Sequence, residues 1–185
     1  MKSIPKFLAV ALVLGIALAG CKKDDPVNYL NVGDLSCVLT QGNVIYQGTS
    51  TNDGTPFYVY NIELFSQGVE LGTDLDGYPT YDGSGAMVYI SLFSSGATRP
   101  ASGSDYEYHE WSAKNHALNG GYFNLDYNPS TKALGNTFGS GTVTVKGSGD
   151  SYTILFEGTG SDGEAISMRF TGQLESYDGS DWYEK

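Results

Sequence analysis

The sequence predicts an all-β protein: an antiparallel β-sandwich of about eight or nine strands, with a lipocalin-like, partly closed β-barrel as the alternative. Three observations predict it. Apolar side chains recur with period two in one segment after another, the signature of strands with a buried face. Asp-Gly occurs five times, at 53, 76, 82, 162 and 178, and this dipeptide supplies the positive φ of tight turns at low steric cost. No stretch of about twelve residues carries a 3.6-residue period. Only residues 112–118 have room for one or two helical turns.

Taken in order, residues 38–48 open the series of strands. Residues 57–65 then place Tyr58, Tyr60, Ile62 and Leu64 on one face, and residues 86–94 do the same with Val88, Ile90 and Leu92. Their opposite faces carry Val59, Phe65, Met87, Tyr89 and Phe93, so both strands are expected to be covered on two sides and central. Strands are also expected at 106–111 and 121–127. The last three form a meander. Val143 and Val145, then Tyr152, Ile154 and Phe156, then Ile166, Met168 and Phe170 each define an apolar face. A turn at 147–150 and a longer loop at 158–164 join them. Short, irregularly spaced strands favour the sandwich over the barrel.

The 185 residues, 40% of them hydrophobic and 17% charged, suit one folded domain and are too apolar for an intrinsically disordered chain. The formal charge is −11. Loss of residues 1–20 would remove Lys2 and Lys6 and leave eight basic against 21 acidic side chains. Such a field repels phosphate backbones and anionic headgroups, which excludes nucleic acid as an expected partner.

Residues 1–20 form a signal peptide: Met-Lys-Ser-Ile-Pro-Lys, an apolar run from Phe7 to Ala19, then Gly20. The run is shorter than the roughly 20 apolar residues a spanning helix needs. Leu18-Ala19-Gly20-Cys21 resembles the lipobox of bacterial lipoproteins, which implies cleavage before Cys21 and acylation of its thiol and amine. Two or three acyl chains hold a protein on a membrane where one binds only marginally. Lys22, Lys23, Asp24 and Asp25 resemble the export signal of Bacteroidota-type outer-membrane lipoproteins, and imply display at the cell surface. A periplasm-facing anchor is the alternative, the acidic pair then being only a solvated tether. Residues 21–35 are read as that tether and 36–185 as the single domain. The segments 141–174 and 99–106 resemble parts of small lipoproteins of the same group, a resemblance that implies an all-β body and no activity. With Cys21 acylated, Cys37 has no intrachain partner and is expected to pack as a small hydrophobe.

No catalytic motif emerges, and no cofactor or metal is expected. Gly158-Thr-Gly160-Ser-Asp-Gly163 matches a dinucleotide fingerprint only as a string, because it joins two strands where that motif requires a helix N-terminus. His109 and His116 are seven apart, where a zinc-binding pair on one helix face needs four. There is no Gly-x-Ser-x-Gly elbow. Asp74, Asp76 and Asp82 offer oxygen ligands but lack the spacing of a calcium loop, and are read as turn residues. The unexplained surplus is aromatic. Tyr78 and Tyr81 in a loop, Trp111 at a strand end and Trp182 near the C-terminus are the candidate ligand contacts, since such rings stack on a sugar while keeping a polar edge wet. A lipid-anchored, non-catalytic glycan-binding module is the expected function. The alternative is a structural or adhesin-like subunit that binds protein, and an enzyme is the least favoured reading.

Overall fold

The computed structural model describes residues 27–52, 54–108, 117–131 and 135–181. Among them are thirteen strands and no helix. Chain order gives β1 (Tyr29–Val32), β2 (Leu35–Cys37), β3 (Leu39–Asn52), β4 (Thr55–Ser66), β5 (Val69–Thr73), β6 (Pro79–Gly83) and β7 (Gly85–Ser94). These are followed by β8 (Ser104–Tyr108), β9 (Ala117–Tyr127), β10 (Asn136–Ser148), β11 (Ser151–Gly160), β12 (Ala165–Gln173) and β13 (Glu175–Asp178).

Eleven strands form one sheet in the order β13-β3-β4-β7-β9-β8-β10-β11-β12-β1-β2, and β5 and β6 make a separate two-stranded ribbon. Pairing is antiparallel except for β13 with β3 and β8 with β9. The sheet curls until β3 touches β12, seven positions away in that order. The chain itself helps to close it. Gln173 pairs with Ser151 of β11, whereas Glu175, two residues on, pairs with Asn43 of β3. Between them Leu174 turns into the core with 2% exposure. The all-β antiparallel class is as read from the sequence. Its facing layers belong to one continuous curled sheet, which joins the two-layer core of a sandwich to the strand order of a partly closed barrel.

One core fills the inside of the curl, with side chains from β1, β3, β4 and β7 through β12, and Leu174 beside them. Tyr60, Ile62 and Leu64 of β4 meet Val88, Ile90 and Leu92 of β7 there, and the meander contributes the apolar faces expected of it. Phe138 links Phe123 to Phe156, with ring centroids 5.9 and 4.4 Å away. Each fully buried side chain of this kind contributes roughly 1.5–3 kcal/mol. Tyr106 is also wholly buried, and its hydroxyl lies 3.0 Å from Ser94 Oγ and donates to the Ala101 carbonyl.

The Asp-Gly turns behave as expected at four of five places: Gly54, Gly77, Gly83 and Gly163 have φ between 77 and 87°. The fingerprint-like string ends β11 and turns into β12, with the Glu164 amide donating to Asp162 Oδ1. It is a hairpin. At the other end of the chain, β1 begins at Tyr29, inside the stretch read as tether. Leu30 and Val32 are buried and pair with Met168 and Ile166 of β12. The domain therefore starts no later than Tyr29; two inward positions are too few to show a period. Residues 117 and 118, read as the end of a short helix, open β9 instead.

Candidate functional site

The outer face of the sheet carries a second, smaller core. Phe65 of β4 and Met87 of β7 are cross-strand neighbours, and the β5–β6 ribbon folds over them with Val69, Leu71 and Tyr81. The expectation that β4 and β7 are covered on both sides is met by this ribbon at Phe65 and Met87, while Val59 and Phe93 at the other end are half-buried. The Tyr81 ring packs 5.0 Å from Phe65.

Beside the ribbon, register aligns one row of side chains across the outer face. Asn43 of β3 faces Glu63 of β4, Glu63 faces Tyr89 of β7, Tyr89 faces Tyr122 of β9, and Tyr122 faces Thr137 of β10. Cross-strand neighbours sit about 5 Å apart, so this is a continuous strip of chemistry. At its buried end, Glu63 is 9% exposed and Asn43 wholly covered. The Tyr81 hydroxyl donates to Glu63 Oε2. Burial holds the Glu63 carboxyl above its usual range, and Tyr81 and Asn43 pull it back. Neither amide atom of Asn43 completes a hydrogen bond of normal geometry. Burial, and then the Glu63 carboxylate, push the Tyr81 phenol far up.

At its open end the row becomes aromatic. Tyr89 and Tyr122 stack with centroids 5.0 Å apart and planes 15° from parallel, and burial followed by the Glu63 charge pushes the Tyr122 phenol up to about 12. Both rings are half-buried. They flank a groove of about 330 Å³ where β9 diverges from β10 and β8 enters between them. Tyr108 stands across it, and Ser91, Asn119 and Thr137 supply polar atoms. Two glycines make the room. A Cβ on Gly120 would meet nothing within 4 Å, whereas one on Gly121 would lie 2.4 Å from the Tyr89 carbonyl and 2.6 Å from the Phe138 ring. Gly121 lets β9 sit close to Tyr89, and Gly120 leaves the groove floor bare.

Of the four aromatics singled out from the sequence, Trp111 and Trp182 lie outside the described residues. So do Cys21, Lys22, Lys23, Asp24, Asp25, His109 and His116. Tyr78 is half-buried in the turn before β6, where its amide donates to Asp74 Oδ1 at 2.8 Å. Tyr81 faces the sheet, with its hydroxyl committed to Glu63. The two are not brought to one surface. Asp74 also accepts the Asp76 amide, and Asp82 the Gly83 amide, so two of the three turn aspartates organise backbone. Among the described residues no group of three His, Cys, Asp or Glu side chains is placed to hold a metal ion. Cys37 is half-buried against the inner core, its thiol is free, and burial pushes its pKa up.

A wider cleft of about 750 Å³ runs between β5 and β13. Three polar side chains in it satisfy one another: Tyr177 donates to Glu175 at 2.7 Å and lies 3.1 Å from Thr73 Oγ1. The Tyr89–Tyr122 groove is the stronger candidate because a stacked pair of half-buried rings lines it together with Ser91, Asn119 and Thr137. Sequence reasoning placed Tyr89 on the second face of its strand but could not pair it with Tyr122, since the pairing joins residues more than thirty apart. Glu63, a lone acid in Tyr-Asn-Ile-Glu-Leu-Phe, was the signal available for the buried end. Comparison with protein-family models, with curated proteins and with solved structures gives no match.

Proposed function

We propose that this protein is a lipid-anchored, non-catalytic binding module, displayed at the outer-membrane surface through acylated Cys21, and that its ligand is a glycan. The single observation that supports glycan binding best is the stacked Tyr89–Tyr122 pair at the edge of a glycine-floored groove. A pyranose has an apolar face and a rim of hydroxyls. Tyrosine rings match the first, and Ser91, Asn119 and Thr137 can exchange hydrogen bonds with the second. The anchor rests on Leu18-Ala19-Gly20-Cys21, and surface display on the Lys-Lys-Asp-Asp run after it. Affinity electrophoresis in gels containing a panel of polysaccharides tests the reading. At least one polysaccharide should retard the wild type, and Tyr122→Ala should weaken retention by about tenfold, equal to roughly 1.4 kcal/mol. Equal retardation of wild type, Tyr89→Ala and Tyr122→Ala would overturn it.

A second reading, as a protein-binding structural subunit, is favoured by the other end of the sheet. The edge strand β2 has Leu35 61% exposed, and Val38 just beyond it is 48% exposed. An apolar edge is a template for strand addition. Co-purification of a stoichiometric partner, lost in Leu35→Lys, would favour this reading.

A further inference from the structure

We infer that the Tyr89–Tyr122 groove takes neutral glycan chains laid across the strands and rejects chains bearing carboxylate or sulfate groups. This deepens the glycan-binding proposal and rests on it. The direction follows from register. Asn61 of β4 faces Ser91 of β7, and Ser91 faces Gly120 of β9. These three short or absent side chains form the row next to Glu63, Tyr89 and Tyr122 on the same outer face. A low polar row beside an aromatic row makes a channel perpendicular to the strands. From β4 to β9 it spans two inter-strand gaps, about 10 Å, enough for a short oligosaccharide lying flat along it.

Selectivity follows from which charges surround the channel. Arg99, Lys146 and Arg169 are the Lys and Arg residues among those described. None lines the groove. Arg99 is engaged elsewhere, 4.4 Å above the Tyr152 ring and donating to the Gly149 carbonyl. Lys146 and Arg169 pair in register with Thr153 of β11 and with Leu155 of β11 and Tyr29 of β1. One carboxyl group neighbours the aromatic row instead. Glu63 is the cross-strand neighbour of Tyr89. A ligand on Tyr89 lies within one Debye length of Glu63, about 8 Å at physiological ionic strength, so salt does not erase the repulsion. The chain as a whole adds to it with a formal charge of −11. An anionic chain on Tyr89 would meet the Glu63 carboxyl and no described cation, whereas hydroxyls and acetamido groups would lose little.

The test uses the mature protein in isothermal titration with size-matched oligosaccharides, neutral (glucan, xylan, mannan) and anionic (polygalacturonate, alginate, heparin-derived). A neutral oligomer should bind at least about tenfold more tightly than every anionic one. Tyr122→Ala should abolish that binding. Thr137→Lys, which puts a cation on the groove's exposed rim, should narrow the gap by improving anionic binding. Anionic oligomers bound by the wild type as tightly as neutral ones, with Tyr122→Ala still abolishing binding, would overturn the selectivity and leave glycan binding standing. No binding of any glycan would overturn both.

Discussion

The Tyr81 phenol donates its hydrogen to the Glu63 carboxylate, and so joins the β5–β6 ribbon to the outer face of β4. The contact spans two separate sheets beside the apolar cluster of Phe65, Val69 and Met87, and Gln41 of β3 makes a second one by donating to the Val69 carbonyl. Among the described residues, burial, Tyr81 and Asn43 are what act on the Glu63 carboxyl, and none of these is a basic side chain. A carboxyl group buried without a cation is costly when charged, and that cost is the origin of two predictions.

Glu63→Gln should remove the part of the pH dependence that Glu63 contributes and leave the fold intact. Because burial raises the Glu63 pKa in the folded state, the folded protein holds this proton more tightly than the unfolded chain does. The associated stabilisation is fully present below the ordinary carboxylate range and is lost as pH rises through the folded-state pKa. Urea denaturation at pH 4 and pH 8 should show the wild type losing stability relative to Glu63→Gln at the higher pH. A wild type that gains on the variant between those pH values would contradict this.

Tyr81→Phe keeps the ring against Phe65 and removes only the donor. Glu63 then loses its phenol donor, so the variant should be destabilised by about 1–3 kcal/mol, more at pH 8 than at pH 4. In the Glu63→Gln background the same change should cost less. A double-mutant cycle read by denaturant midpoint measures the coupling.

Gly121→Ala should be destabilising although it adds a single methyl group. The new Cβ would fall 2.4 Å from the Tyr89 carbonyl and 2.6 Å from the Phe138 ring, and overpacking of this kind costs roughly 1–3 kcal/mol. Thermal unfolding should show a lowered midpoint. An unchanged midpoint would mean that β9 is free to move away from β7.

The anchor makes a separate prediction. Cells supplied with labelled palmitate should incorporate it into the wild type and not into Cys21→Ala. Protease added to intact cells should shave the wild type, and Asp24→Ala combined with Asp25→Ala should protect it. Label in both proteins would remove the lipobox assignment, and complete protection of the wild type would place the domain inside.

What the sequence by itself determined was local. Alternation along residues 143–145, 152–156 and 166–170 identified the meander, because a strand with one buried face writes its own period. Asp-Gly located turns through the backbone freedom of the second residue. The double-sided apolar pattern at Phe65, Met87 and Tyr89 announced a covered outer face. What covers it was not legible, since Val69, Leu71 and Tyr81 lie on short strands with little alternation. Nor was the candidate site. The Asn43–Glu63–Tyr89–Tyr122–Thr137 row is assembled from five strands, and its members become neighbours only through register. Register is a non-local property: a shift by one residue would turn Tyr122 into the core and Phe123 out to solvent. Tertiary structure alone decided that the layers are one curled sheet, that Leu30 and Val32 belong to its core, and that two tyrosines distant in the chain share a groove.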